Sequence, residues 1–112
     1  MKRIEAIIRP ERLEAVKESL AAMGNTGVTV TEVKGHGIQK GITQHWRGQD
    51  YSVDLLPKVS VVVVVNDHEV AETVESIASV ARTDRIGDGK IFVTPVEQVV
   101  RIRTGETGTD AL

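Results

Sequence analysis

An α+β domain, with two helices on one face of a four-stranded antiparallel sheet, is the fold class that this sequence predicts. Three observations carry it. Two stretches with helical spacing of apolar residues alternate with β-branched segments in the order β-α-β-β-α-β. The run Val61-Val62-Val63-Val64-Val65 is uninterrupted, as in a central strand. A chain of 112 residues suffices for one hydrophobic core and not for two, so residues 1–112 are expected to form a single domain.

The first strand is read over residues 2–9, where Ile4, Ala6 and Ile8 share one side and Ile7 takes the other. Pro10 stops it and opens a helix, since its ring sets a helical φ and its missing N–H is not needed in a first turn. Leu13, Val16, Leu20 and Met23 follow at helical spacing, and Gly24 is placed to end that helix in the left-handed conformation. Residues 28–33 are rich in stiff β-branched side chains and read as the second strand. Residues 58–65 form the third, and its valine run, lacking polar alternation, predicts burial on both faces. Asn66 is expected to cap the second helix with Glu69 completing a capping box, and Val70, Val74, Ile77, Ala78 and Ala81 make its apolar face as far as Arg82. Ile91-Phe92-Val93 is a short fourth strand, and residues 99–103 an additional extended segment.

This order is the ferredoxin-like plan. Two helices cover one face of such a sheet, so the other face of the valine strand is expected to be covered by further copies of the chain; an unusually apolar open face is the alternative. Between the second and third strands, residues 35–57 show no sustained period, and a connection of that length reads as a functional loop. Gly35, Gly37, Gly41 and Gly48 leave its backbone permissive, while Lys40, Trp46, Arg47 and Tyr51 supply contact-prone side chains.

Composition excludes several classes. Fourteen Lys and Arg against sixteen Asp and Glu leave a formal charge of -2, so no excess positive field steers the whole molecule onto nucleic acid or anionic lipid. With no cysteine, disulfides, thiolate metal sites and cysteine nucleophiles are absent, as suits a reducing cytosol. Glu5 falls where a secretory signal would need apolar residues, and no run approaches a membrane span; an intracellular, cytoplasmic chain is expected. His36, His45 and His68 lack metal-ligand spacing. An acylphosphatase-type enzyme of the same fold is disfavoured, because Arg9-Pro10-Glu11-Arg12 does not make a glycine-rich phosphate loop and no serine or histidine constellation marks a nucleophile. An RNA-binding module would stack bases on strand aromatics, and of Trp46, Tyr51 and Phe92 only the last falls in an expected strand.

Two features point to a bound anion. Ile86-Gly87-Asp88-Gly89-Lys90 is a glycine turn with a lysine at its exit; glycines let backbone N–H groups approach an anion, and lysine adds a compact charge. The same Gly-Asp-Gly is also an ordinary tight turn. Arg101 and Arg103, two apart in an extended segment, would leave one face roughly 7 Å apart and could straddle a polyphosphate; solvated surface arginines are the other reading. The conjunction of the two, with the glycine-rich start of the long loop, favours nucleotide binding.

Four stretches, in order and spanning nearly the whole chain, closely resemble the PII family of nitrogen regulators: Gly35-His36-Gly37-Ile38-Gln39-Lys40-Gly41; Tyr51-Ser52-Val53-Asp54-Leu55-Leu56-Pro57-Lys58-Val59; Arg82-Thr83-Asp84-Arg85-Ile86-Gly87-Asp88-Gly89-Lys90-Ile91-Phe92-Val93; and Val100-Arg101-Ile102-Arg103-Thr104-Gly105-Glu106. The resemblance implies a homotrimer of ferredoxin-like subunits that is not an enzyme. It implies that ATP or ADP, Mg2+ and 2-oxoglutarate bind in clefts between neighbours, and that the long loop, the family's T-loop, at about residues 37–56, controls an ammonium transporter, glutamine synthetase or other nitrogen-metabolism proteins. Membrane contact would then be only indirect, through a transporter.

By the same resemblance Gly87, Asp88, Gly89 and Lys90 hold phosphates, Arg101 and Arg103 reach them from the neighbouring subunit within a C-terminal segment of about residues 96–112, and Thr29, Gly35, Gly37, Ile38 and Val64 border the nucleotide. Plain strand packing is the other account of Thr29 and Val64. Gln39 helps complete the magnesium shell, Lys58 pairs with the keto acid's distal carboxylate, and Gly37, Lys40 and Gly41 lie against it. Tyr51 stands where many bacterial relatives carry a modifiable tyrosine, in a context, Trp46-Arg47-Gly48-Gln49-Asp50, that departs from the usual motif. Ile38 replaces a common arginine and Val62 a common glutamate, which bears on the discrimination of ATP from ADP.

Overall fold

The computed structural model describes residues 1–36, 43–46, 49–52 and 55–112, and the expectations attached to Gly37, Ile38, Gln39, Lys40 and Gly41 lie outside them. The strands are β1 (Lys2–Ile8), β2 (Thr29–His36), β3 (Thr43–Trp46), β4 (Gln49–Ser52), β5 (Leu55–Val65) and β6 (Lys90–Pro95), and the helices α1 (Leu13–Ala22) and α2 (Val70–Ala81). Four strands make one antiparallel sheet in the order β2-β5-β1-β6. With α1 and α2 this is the α+β, ferredoxin-like arrangement that the sequence predicts.

Alternation explains the core. Ile4, Ala6 and Ile8 of β1 are buried, as are Val59, Val61, Val63 and Val65 of β5, because the register pairs Ile4 with Val63, Ala6 with Val61 and Ile8 with Val59, placing them on the face under the helices. The helices meet them with Val16 and Leu20 from α1 and Ile77 and Ala81 from α2. Each fully buried side chain of this size contributes roughly 1.5–3 kcal/mol. Thr73, which the apolar spacing passed over, is also fully buried; its hydroxyl donates to the Glu69 carbonyl at 2.7 Å, which removes the cost of burying it.

The valine run therefore buries one face within a single chain and not two. Val62 and Val64 are half-buried and lie on the open face of the sheet with Glu5 and Arg3 opposite them. Phe92 also pairs with Glu5 and is 48% exposed. On this face the Ser60 hydroxyl donates to Glu5 Oε2 at 2.6 Å, and Arg3 lies 3.5 Å from Glu5 Oε1; the Ser60 hydrogen bond, then Arg3, hold the Glu5 carboxyl below its ordinary value against the opposing effect of burial.

At the ends of elements the structure both follows and corrects the sequence reading. Gly24 has φ +85, and Asn25 N–H donates to the Leu20 carbonyl while Gly24 N–H donates to that of Ala21, the paired bonds of a Schellman stop. Pro10 opens a short 3-10 turn, Pro10–Arg12, ahead of α1. Asn66, expected as a side-chain cap, does not accept a helix N–H; its amide donates to Glu69 Oε1 at 3.0 Å, and Glu69 N–H goes to the Asn66 carbonyl instead. The backbone closes the turn, leaving the side chains to pair with each other.

Residues 35–57 are not a periodless loop throughout. β2 runs on to His36 and β5 begins at Leu55, and β3 pairs with β4 as a separate two-stranded hairpin in which Tyr51 stands opposite Gln44. The side chain of Tyr51, on which any modification depends, lies outside the description.

Candidate functional site

The glycine turn after α2 is organised by two distant cations. Arg9, at the end of β1, donates from Nε to Asp88 Oδ1 at 2.9 Å and from Nη2 to the Ile86 carbonyl at 2.7 Å. Lys58, near the start of β5, donates from Nζ to the Gly87 carbonyl at 2.5 Å. The carbonyls of Ile86 and Gly87 thus turn toward these cations. In a trans peptide the C=O and N–H point oppositely, so the N–H groups of Gly87 and Asp88 point away from Arg9 and Lys58, and among the described residues no hydrogen bond takes them up. Successive outward N–H groups at glycine-bearing positions form an anion-binding nest, and Lys90 leaves the turn as the first residue of β6.

The Asp88 side chain is engaged within the turn itself. Its carboxylate accepts from the N–H groups of Thr83 at 2.7 Å and Asp84 at 3.0 Å, from the Thr83 hydroxyl and from Arg9. Both oxygens are therefore engaged inside the turn. The Thr83 hydroxyl chiefly, then Arg9 and the backbone N–H groups, hold the Asp88 carboxyl far below the usual carboxylate range in spite of desolvation. In this arrangement the Asp88 side chain acts as the keystone of the turn, and the residue's backbone N–H is what it offers to a ligand.

Gly89 is required by close approach. A Cβ there would stand 1.7 Å from the Ile7 carbonyl oxygen, at φ +97, so the chain enters β6 directly against β1. Gly35 packs on Lys58 in a related way, since a Cβ at Gly35 would meet Lys58 Cγ at 3.0 Å. Gly35, Lys58 and the turn at residues 87–90 are thereby gathered into one corner.

Thr29 and Val64 lie elsewhere. Both line a cavity together with Val62, Asn25, Val99 and Leu112. Arg101 and Arg103 are not on an extended strand as expected. Val100 bridges to Thr107, Arg101 N–H donates to the Glu106 carbonyl at 2.8 Å, and Gly105 N–H returns to the Arg101 carbonyl at 2.8 Å, so residues 102–104 form a turn. Arg101 joins Glu106 and Leu112, and among the described residues nothing joins it to the glycine turn in the same chain.

Arg9 and Thr83 were missed by sequence reasoning, because their role arises from a contact made only on folding. Thr83-Asp84 before Gly-Asp-Gly is the one local hint, since Asp and Thr side chains favour turns by bonding nearby N–H groups. Among the described residues no group of three or more His, Asp or Glu could hold a metal ion, and no helix is long and apolar enough to cross a membrane.

The family described as Nitrogen regulatory protein P-II matches residues 1–106. The chain is 61% identical over 112 residues to Nitrogen regulatory protein P-II of Cereibacter sphaeroides and 60% identical to that of Azospirillum brasilense, with 100% of each chain covered in both cases. It is 58% identical to Nitrogen regulatory protein P-II 2 of Methanothermobacter thermautotrophicus, across 100% of this chain and 97% of that one.

Proposed function

This chain belongs to the nitrogen regulatory protein P-II family, signalling regulators and not enzymes, and on that footing we propose that it senses ATP or ADP together with Mg2+ and 2-oxoglutarate at clefts between three copies of itself. The observation that carries the reading is the corner in which Lys58 and Arg9 turn the carbonyls of Gly87 and Ile86 inward. That leaves N–H groups and Lys90 to receive phosphate oxygens. The site suits an anion by its chemistry: a nest of N–H donors beside several cations, with its own carboxylate already satisfied.

On this reading Gly87, Asp88 and Gly89 contribute backbone N–H groups, and Lys90 contributes charge. Arg101 and Arg103 are supplied by a neighbouring copy, which accounts for their distance from the turn within one chain. Gly35, Gly37 and Ile38 border the nucleotide beside the turn, and Thr29 and Val64, which lie apart from the turn within one chain, border it from a neighbouring copy. Magnesium prefers about six oxygen ligands, which the phosphates and the keto acid provide with Gln39, while Lys58 meets the distal carboxylate beside Gly37, Lys40 and Gly41. Lys58 retains two N–H donors beyond the one given to Gly87, so it can serve the turn and a carboxylate together.

The half-buried valines and Phe92 of the open sheet face support assembly through that face. The loop between β2 and β5 then carries the ligand state to partners, an ammonium transporter or glutamine synthetase or another nitrogen-metabolism protein, in the cytoplasm, with Tyr51 as a candidate modification site. Sedimentation equilibrium and ATP titration of the same sample test the reading. The expected result is a mass of three chains binding one ATP per chain, with binding weakened about tenfold or more by Lys90→Ala or Arg103→Ala. A single-chain mass indifferent to ATP would overturn it.

A further inference from the structure

We propose that Glu106 is a positioning residue for Arg101, holding its guanidinium ready for the polyphosphate; this rests on the nucleotide site proposed above. The C-terminal turn is a small preformed frame. Val100 bridges to Thr107, Arg101 N–H bonds the Glu106 carbonyl, and Gly108 N–H bonds the Val99 carbonyl at 3.0 Å. Residues 101 and 106 are thus fixed side by side by their backbones. From there Glu106 Oε1 lies 3.2 Å from Arg101 Nη1, and Arg101 Nη2 donates to the Leu112 carbonyl at 3.2 Å. Glu106 is itself steadied, its N–H donating to the Thr104 hydroxyl at 3.3 Å.

Donor arithmetic separates positioning from competition. A guanidinium carries five N–H donors in a rigid plane. Glu106 and Leu112 each take one, leaving three for a ligand. A carboxylate standing in the ligand's place would grip the fork with two parallel bonds, whereas Glu106 makes one contact with one nitrogen. Both side chains are about two-fifths exposed, and a pair so placed shifts an equilibrium by less than about fivefold, too little to outcompete a triphosphate. An arginine has much rotamer freedom to lose on binding, and a partner that orients it beforehand removes part of that loss.

The test is a double-mutant cycle on ATP binding, measured calorimetrically in the presence of magnesium with wild type, Glu106→Ala, Arg101→Ala and the double variant. Glu106→Ala is expected to weaken ATP about three- to fivefold, while Glu106→Gln, which keeps an acceptor, stays within about twofold of wild type. In the Arg101→Ala background the Glu106→Ala change should have no further effect. A purely structural role would still weaken binding in that background, through displacement of Arg103, and so would overturn the proposal. ATP binding that is unchanged or tighter in Glu106→Ala would overturn it as well. Indifference of ATP to Arg101→Ala would instead remove the nucleotide site on which the proposal rests.

Discussion

Arg9 and Asp88, 79 positions apart in the chain, meet at 2.9 Å and lock the end of β1 to the glycine turn. Because Asp88 also gathers the N–H groups of Thr83 and Asp84, this one contact sets the shape in which the turn's own N–H groups face outward. Arg9→Met is expected to weaken ATP binding about tenfold, the worth of one charge-assisted hydrogen bond, without touching the nucleotide. Backbone amide shifts in residues 83–90 of the ligand-free variant would report the loosened turn directly; a turn and affinity identical to wild type would contradict this account.

Acid should separate Asp88 from ordinary carboxylates. Its folded value lies far below the usual range, while an unfolded aspartate titrates at about 3.9. The stability it contributes is therefore full above about pH 4, shrinks as pH falls past the unfolded value, and vanishes only below the folded one. The stability difference between wild type and Asp88→Asn is expected to be constant from pH 7 to about pH 4.5 and to narrow below that. Carboxyl carbon resonances provide the check: Asp88 titrating near pH 4 would refute the keystone role.

Two glycine substitutions should differ in size for a geometric reason. Gly24 and Gly89 both have left-handed φ, yet a Cβ at Gly24 meets nothing within 4 Å while one at Gly89 meets the Ile7 carbonyl at 1.7 Å. Gly24→Ala is expected to cost about 1–2 kcal/mol, the left-handed penalty alone. Gly89→Ala must also push β6 off β1 and is expected to cost more than about 3 kcal/mol. Urea unfolding of the two variants measures both, and equal losses would contradict the close approach.

The open face of the sheet is a further point of test. Phe92→Asp would set a second carboxylate opposite Glu5, with like charges paired across strands and no room for water if other copies cover that face. Assembly in sedimentation should weaken at least about tenfold with the helical circular dichroism retained. Unchanged assembly would mean that copies meet elsewhere.

Much of this was legible beforehand wherever the signal is local and periodic. Gly24 ends α1 as its position predicts, and the valine run and the spacing of Val70, Val74, Ile77 and Ala81 mark β5 and α2. The hairpin of β3 and β4 escaped because four-residue strands carry too few alternations to register a period. Arg101 and Arg103 read as extended because arginine and isoleucine alternate, although Thr104-Gly105 is a turn signal and the bridge from Val100 to Thr107 prevails over the alternation. Asp88 is a phosphate-holding residue by resemblance alone, and nothing in the sequence shows what its side chain meets. Its engagement by Arg9 is a tertiary contact with no local signature, and at Asn66 the backbone carbonyl takes the Glu69 N–H while the side chain pairs with the Glu69 carboxylate, a choice that residue type alone does not fix.

Lys58 divides the two ligands. Its bond to the Gly87 carbonyl joins the expected keto-acid residue to the expected phosphate turn, so Lys58→Met should weaken ATP alone about as much as Arg9→Met does and 2-oxoglutarate by about a further tenfold. Parallel losses for both ligands would mean that Lys58 serves the turn only.

The central claim is that nucleotide and keto acid seat each other through a shared magnesium ion at this corner, a coupling that is reciprocal and typically worth about 1–3 kcal/mol. Calorimetric titration of 2-oxoglutarate into the protein alone, with ATP and magnesium together, and with ADP in place of ATP measures it most directly. Binding should appear only with ATP and magnesium both present. Equal binding of 2-oxoglutarate to the nucleotide-free protein would contradict the account.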